Sequence, residues 1–379
     1  SVEALDKHSP QSMVTPQKNL DLHGIRILML APCLGKFGGI ETFCLTLIED
    51  LVKKGASVRL LRKKVSGFAL DGSIEASETE IRKTWTKEEL NRFESQFINR
   101  SDPDLRTAFD ACDFVHLHNP MIEGVWMAKR RNLPCAMTIY NWRRKGLHPR
   151  LLAWRWAVRN ADRRWYISEF VWNSWENRRQ KGSARLPVVS RMPTGEIPTN
   201  QRKGFLFLGR WVSNKGLRIL IEAYHRLAPD PEIWPLTLLG NGPLRSEVER
   251  IINDKGIQGV QLLGFVSEDE RHRRTREAKW MVTPPHTRED LGLTPLEARS
   301  VGVPCIVSAD GGVKETGGPH ALVSKPGNVD SLLSCLKRAV KMKEDEYKQM
   351  SSLAKEGLGD YVRSLDEYAE EYLKLLGKA

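Results

Sequence analysis

Short apolar runs alternate along the chain with longer stretches whose apolar residues recur at helical spacing. A first series of runs covers residues 25–30, 58–61, 114–117, 136–139 and 165–167. A second covers 204–209, 236–240, 260–264, 280–282 and 304–307. Short buried strands alternating with helices predict parallel sheets built from right-handed βαβ units. The first intervening helix is carried by Ile40, Phe43, Cys44, Leu47, Ile48 and Leu51 on one stripe. Lys53 and Lys54 suit its C-terminus, and Gly55 ends it. Residues 183–203, with Pro187, Pro193, Gly195 and Pro198, read as a linker between the two series.

The pattern divides the chain into a polar leader (1–23), an N-terminal doubly wound domain (24–190), a second such domain (191–355) and a closing helix (356–379). Tyr361, Leu365, Tyr368, Tyr372 and Leu376 line one face of the last stretch. It is expected to pack across the domain junction; confinement to its own domain is the alternative. The two sheets would face a cleft between their C-terminal strand edges, where such folds bind ligands.

The chain has 379 residues, with 59 Lys plus Arg against 47 Asp plus Glu, a net charge of +12. A length near 150 residues per domain predicts two or three domains. A hydrophobic share of 40% and a charged share of 28% fit a globular protein. No apolar run reaches the roughly 18 to 20 residues that a bilayer-spanning helix needs, and the N-terminal stretch has no apolar signal core. Cys33, Cys44, Cys112, Cys135, Cys305 and Cys335 form no C-x-x-C pair and no zinc spacing, so they read as small core residues in a reducing cytoplasm. The positive excess implies an acidic partner: nucleic acid, an anionic membrane or a phosphorylated small molecule.

Candidate chemistry gathers in a few loops. Arg210 and Lys215, five apart after a second-series strand, can grip a diphosphate or can be solvated surface cations. Glu289 lies in a loop, where a carboxylate can accept from sugar hydroxyls or simply face water. Glu297 can do the same. Alternatively Thr294, Pro295 and Glu297 form a capping box at a helix start. Gly38 and Gly39 open the first helix, where backbone can approach phosphate. Gly240-Asn241-Gly242-Pro243 and Gly264-Phe265-Val266 are strand-end turns. His116 and His118 share one face of a strand, without the further ligands a metal would need.

The segment Glu289-Asp290-Leu291-Gly292-Leu293-Thr294-Pro295-Leu296-Glu297-Ala298 resembles the E-x7-E signature of retaining glycosyltransferases of family 4, which have the GT-B fold. The family pattern reads E-G-F-G-L-x-x-L-E-A, then G-x-P-V; here Asp290 and Leu291 replace Gly and Phe. Ser308 to Glu315 is similar to the family's Gly-Gly turn and following Glu, and the resemblance covers roughly residues 24 to 379. It implies an α/β fold of two Rossmann-like domains. It implies Arg210, Lys215 and Glu289 as catalytic residues, with Arg210 and Lys215 on the nucleotide diphosphate and Glu289 on the sugar. Gly38, Gly39, Gly240, Phe265, Val266, Leu293 and Glu297 would bind the donor, with Glu297 on the ribose. His118 and Tyr140 fall on the acceptor side, and His116 is structural. Relatives often carry His where this chain has Tyr140. A phenol with an ordinary pKa of about 10 donates a hydrogen bond but is no base near pH 7, so an altered acceptor site or reduced activity stays open.

The implied activity is transfer of a hexose from a UDP- or GDP-linked sugar to a hydroxyl acceptor. It would serve bacterial cell-surface polysaccharide or glycolipid synthesis, without a metal or other cofactor. The pair Glu289-Asp290 is a weak pointer to GDP-mannose. Residues 142–165 interleave Trp142, Trp154, Trp156 and Trp165 with Arg143, Arg144, Lys145, Arg150, Arg155, Arg159, Arg163 and Arg164 against Asp162 alone. A basic helix with Trp suits an anionic membrane surface, and hence a cytoplasmic, peripheral protein with a lipid-linked acceptor. No nucleic-acid motif accompanies it. A GT-B nucleotide-sugar epimerase and a non-catalytic sugar-nucleotide binding module are the rival readings.

Overall fold

The computed structural model describes residues 18–99, 103–187 and 191–378; the greater part of the expected leader lies outside them. Strands β1 (Arg26–Cys33), β2 (Ser57–Lys64), β3 (Phe93–Ile98), β4 (Phe114–His118), β5 (Cys135–Ile139), β6 (Arg163–Tyr166) and β7 (Ser183–Arg185) form a parallel sheet in the order β3-β2-β1-β4-β5-β6-β7. Strands β8 (Phe205–Leu208), β9 (Leu236–Leu239), β10 (Val260–Gly264), β11 (Trp280–Thr283), β12 (Cys305–Ser308) and β13 (Leu322–Ser324) form a second, ordered β10-β9-β8-β11-β12-β13. Strands β4, β5, β8 and β12 are buried throughout. That is why their sequences are continuous apolar runs and not alternating ones. The order reverses between β1 and β4 in the first sheet and between β8 and β11 in the second. Loops leaving those strand ends form the natural ligand crevices.

The first helix runs from Gly39 to Lys53 with Phe43, Cys44, Leu47, Ile48 and Leu51 buried, and Gly55 follows at φ 101°. Three strands are absent from the apolar pattern: β3, β7 and β13, each at a sheet edge. Strand β7 occupies the start of the stretch read as linker, which corrects that boundary: the inter-domain crossing begins after Arg185. All six cysteines are unpaired; five are buried and Cys335 is half-buried.

After the helices Val329–Lys341 and Glu344–Leu353 of the second lobe, the chain returns to the first. Leu358, Tyr361, Tyr368 and Tyr372 belong to the N-terminal core cluster. The closing helix spans only Asp366–Leu375, so Tyr361 precedes it instead of sharing its face. Tyr372 and Trp165 stack at 6.0 Å, and the Tyr368 hydroxyl donates to the Leu186 carbonyl at 3.1 Å. His116 is wholly enclosed by this cluster. Its Nδ1 lies 2.5 Å from the Tyr372 hydroxyl and its Nε2 2.7 Å from Thr138 Oγ1, so both nitrogens are satisfied and burial holds its pKa well below 6.5. At the other end Lys18 donates its backbone N–H to Asp366, which also pairs with Lys54.

Candidate active site

The loops after β8, β9, β10 and β11 leave neighbouring strands on one edge of the second sheet, and they carry most of the singled-out residues. Arg210 and Lys215 follow β8. Lys215 Nζ donates to Glu289 Oε2 at 2.7 Å, while exposed Arg210 has no acidic partner among the described residues. Gly240 follows β9 so closely packed on the β8 loop that a Cβ there would lie 1.9 Å from the Gly209 carbonyl oxygen. Phe265, beyond β10, is 80% exposed, and Val266 beside it is half-buried.

Glu289 is held by its backbone. The Asp310 carboxylate accepts from the N–H groups of Arg288 and Glu289, both at 2.8 Å, and Gly312 N–H donates back to the Glu289 carbonyl at 2.7 Å. A Cβ on Gly311 would sit 2.1 Å from that carbonyl oxygen, so the Gly-Gly turn fits only glycine there. The following helix is Leu293–Ser300 with Gly292 at its N-cap and no side-chain cap. The capping-box alternative is therefore wrong: Thr294 lies inside the helix, where its hydroxyl meets that of Thr283 at 3.0 Å, and Glu297 is too far along to cap. Glycine wins the cap because the chain enters at φ 84°. Leu293, half-buried, packs on the first-lobe core.

Glu297 is 5% exposed. Its Oε1 lies 3.3 Å from Arg271 Nη2, and its Oε2 has no hydrogen-bond partner. Burial pushes its pKa up to about 7, with Arg271 pulling the other way. Asp290, raised to about 6 chiefly by burial, reaches into the first lobe. It accepts from Trp142 N–H at 2.9 Å and Asn141 Nδ2 at 3.0 Å, and its carbonyl accepts from Ser168 Oγ at 2.7 Å. Arg288 lies 4.8 Å from the Trp142 ring centre. Glu315 does the same further along the seam, accepting from the N–H groups of Glu169 and Phe170 and from the Tyr361 hydroxyl. Asp310 and Arg271 were not legible as site residues. Asp290 carried one signal, an acid where relatives have glycine, and Glu315 another, as the Glu that follows the Gly-Gly turn.

On the first lobe, Gly38 is the N-cap of the first helix at an extended φ of −150°, and Gly39 faces open space. Glu41 already accepts from the Gly38 N–H at 3.1 Å, which neutralises part of the positive helix end. His118 is completely buried; its Nδ1 lies 2.7 Å from the Tyr140 hydroxyl and its Nε2 has no partner. Burial drops His118 to about 3 and raises Tyr140 well above 10, so both are neutral. The groups that reach the crevice there are Asn119 and Asn141, joined at 2.9 Å. Beside them is a cavity of about 830 Å³ at the ends of β1, β2, β4 and β5, walled by Trp142, Trp154 and Trp175. The basic segment is not one helix: it is helical only over Pro149–Asn160, and Arg163, buried Arg164 and buried Trp165 belong to β6.

Residues 37–191 match the family model "Glycosyltransferase Family 4", and residues 195–357 match "Glycosyl transferases group 1". The chain is 28% identical over 215 residues to the uncharacterized glycosyltransferase YqgM of Bacillus subtilis, covering 53% of this chain and 59% of that one. It is 32% identical over 103 residues to O-antigen chain mannosyltransferase C of Escherichia coli, covering 27% and 26%. The chain thus spans under two thirds of the length of these relatives. The crystal structure of Anabaena HepE in complex with UDP superposes with a TM-score of 0.72 at 15% identity, covering 94% of this chain and 100% of that one, a likeness of fold.

Asp290→Ala removes the acceptor that ties Asn141 and Trp142 to the second lobe. The amide proton of Trp142 is expected to exchange with solvent about tenfold faster or more, as local opening becomes easier. Unchanged protection in a residue-resolved exchange experiment would contradict this account of the seam.

Proposed function

Because the chain belongs to glycosyltransferase family 4 and has the GT-B fold, we propose that it is a retaining, metal-independent hexosyltransferase using a UDP- or GDP-linked sugar and a hydroxyl acceptor, in surface polysaccharide or glycolipid synthesis. The observation that carries this reading is the Lys215–Glu289 pair beside the inter-lobe seam, with Arg210, which has no acidic partner among the described residues, on the same loop as Lys215. In this reading the donor diphosphate draws Lys215 and Arg210, and Glu289, released from its lysine, accepts from the sugar hydroxyls. The bond from the anomeric carbon to the diphosphate oxygen breaks, and the charge left on the leaving group meets two preorganised cations. The acceptor oxygen forms its bond on the same face, and its proton passes to a donor phosphate oxygen. Glu297 accepts from the ribose, Phe265 and Val266 flank the base, and Gly240, Leu293, Gly38 and Gly39 shape the donor's surroundings. His118 and Tyr140 support the acceptor side from below, through Asn119 and Asn141.

Membrane attachment is the second element of the proposal. No helix of the described residues is long and apolar enough to cross a membrane. Leu147, Leu152 and Trp156 are nevertheless exposed among Arg150, Arg155 and Arg159, an arrangement that suits an anionic interface. The protein is expected to float with phosphatidylglycerol vesicles and not with phosphatidylcholine vesicles; equal behaviour with both would remove this element.

Glu289→Ala and Arg210→Ala are each expected to cut turnover by about 10² to 10³, the usual loss when one charge-stabilising group is removed, in assays with or without EDTA. Product mass separates transfer from epimerisation. Near-normal turnover in both variants would sink the assignment. Nucleotide affinity is also expected to depend on pH. Hydroxyls donating to Glu297 favour its ionised form, so binding strengthens by about three- to tenfold as pH rises from 6 to 8 through a pKa of about 7, and levels off above. Calorimetry with Glu297→Gln should give a flat profile; a wild-type profile that is flat would remove Glu297 from the ribose.

A further inference from the structure

We propose that the first-lobe cavity takes an acceptor bearing a phosphoryl group, a refinement that rests on reading the chain as a glycosyltransferase. The cavity, about 830 Å³, opens beside the Asn141–Trp142 edge that meets Asp290, so an occupant reaches the seam where the donor would lie. Its walls carry Lys63, Lys64, Arg144 and Arg150 against a single acid, Glu123. Glu123 is paired with Lys63. Lys64, Arg144 and Arg150 are exposed and have no acidic partner among the described residues.

Two helices, Ile122–Arg130 and Pro149–Asn160, present their first turns to the same cavity and add the partial positive charge of their N-termini. A donor carries one diphosphate, and Arg210 and Lys215 answer it on the other lobe. Three further uncompensated cations around a separate hollow call for a second anion.

The rest of the wall says what accompanies that anion. Trp142, Trp154 and Trp175 are half-buried, and Trp175 is fixed by its indole N–H on the Asn141 carbonyl at 2.8 Å. Flat, half-buried aromatic faces suit the apolar face of a sugar ring or an alkyl chain. A phosphorylated sugar matches both features, either as a free sugar phosphate or as one joined through phosphate to a lipid.

The test is a tryptophan-fluorescence titration of the full chain, with UDP or GDP saturating the donor side. The probes are glucose 1-phosphate, decyl glucosyl phosphate and neutral decyl glucoside below its micelle concentration. At least one phosphate-bearing probe is expected to bind about tenfold or more tightly than decyl glucoside, since phosphate engages arginine through charge-assisted bonds. Decyl glucosyl phosphate outbinding glucose 1-phosphate identifies a lipid-linked acceptor, and equal binding a soluble one. The triple variant Lys64→Ala/Arg144→Ala/Arg150→Ala should lose about tenfold for the phosphate probes and little for decyl glucoside. Equal wild-type affinity for neutral and phosphorylated probes overturns the proposal, as does a correctly folded triple variant with undiminished phosphate binding. Should the triple variant misfold, the wild-type comparison decides alone. Phosphate selectivity without any UDP or GDP affinity would sink the transferase reading and leave the anion site standing.

Discussion

Asp310 is the anchor of the site. The loop leaving β11 has no ladder to satisfy its amides, and an unpaired buried amide is costly, so the loop needs an acceptor. One carboxylate supplies it twice, to Arg288 and Glu289. It does so while Arg288 sits at φ 49°, a conformation that a long side chain adopts only when its surroundings impose it. With the backbone fixed and the Gly311 turn pressed against it, the Glu289 side chain is left where Lys215 meets it. The next residue, Asp290, is left pointing across the seam. The same two amide bonds therefore position both Glu289 and one contact across the seam.

The seam repeats this device. Asp290 and Glu315 each take backbone N–H groups of the opposite lobe. Such contacts are directional, so they fix register, yet water can replace them at modest net cost. The apolar part of the junction is carried by the helix Leu293–Ser300, whose Leu296 joins the first-lobe core while Ala298 joins the second. The segment from Glu289 to Glu297 is thus both the proposed donor cradle and the joint between lobes.

How much of this the sequence carried follows from where each element sits. The fully buried central strands were legible because both faces are apolar. Strands β3, β7 and β13 were not, because an edge strand needs only partial burial: β3 reads Phe-Glu-Ser-Gln-Phe-Ile and β7 only Ser-Ala-Arg. Arg210, Lys215 and Glu289 stood out through the resemblance of their segments to the family's motifs, and Lys215 and Glu289 do meet. Asp310 did not stand out, since a carboxylate that serves a distant backbone N–H leaves no local pattern. The Trp-rich segment misled for a related reason. Residues 142–165 are one basic run in sequence, but a helix end at Asn160 sends Trp165 into the core and leaves Trp142 and Trp154 on a cavity wall.

Glu297 and Asp290 make an instructive contrast. Both are buried carboxyls with raised pKa values, about 7 and about 6. Asp290 has its donors inside the protein, and its shift is the residue of desolvation after two hydrogen bonds have worked against it. Glu297 has a guanidinium at 3.3 Å on one oxygen and nothing on the other. A buried polar atom without a partner costs on the order of 1–3 kcal/mol. Helix capping would have removed it internally, and the glycine cap at Gly292 excludes that. That open oxygen is the atom the proposed ribose contact would use.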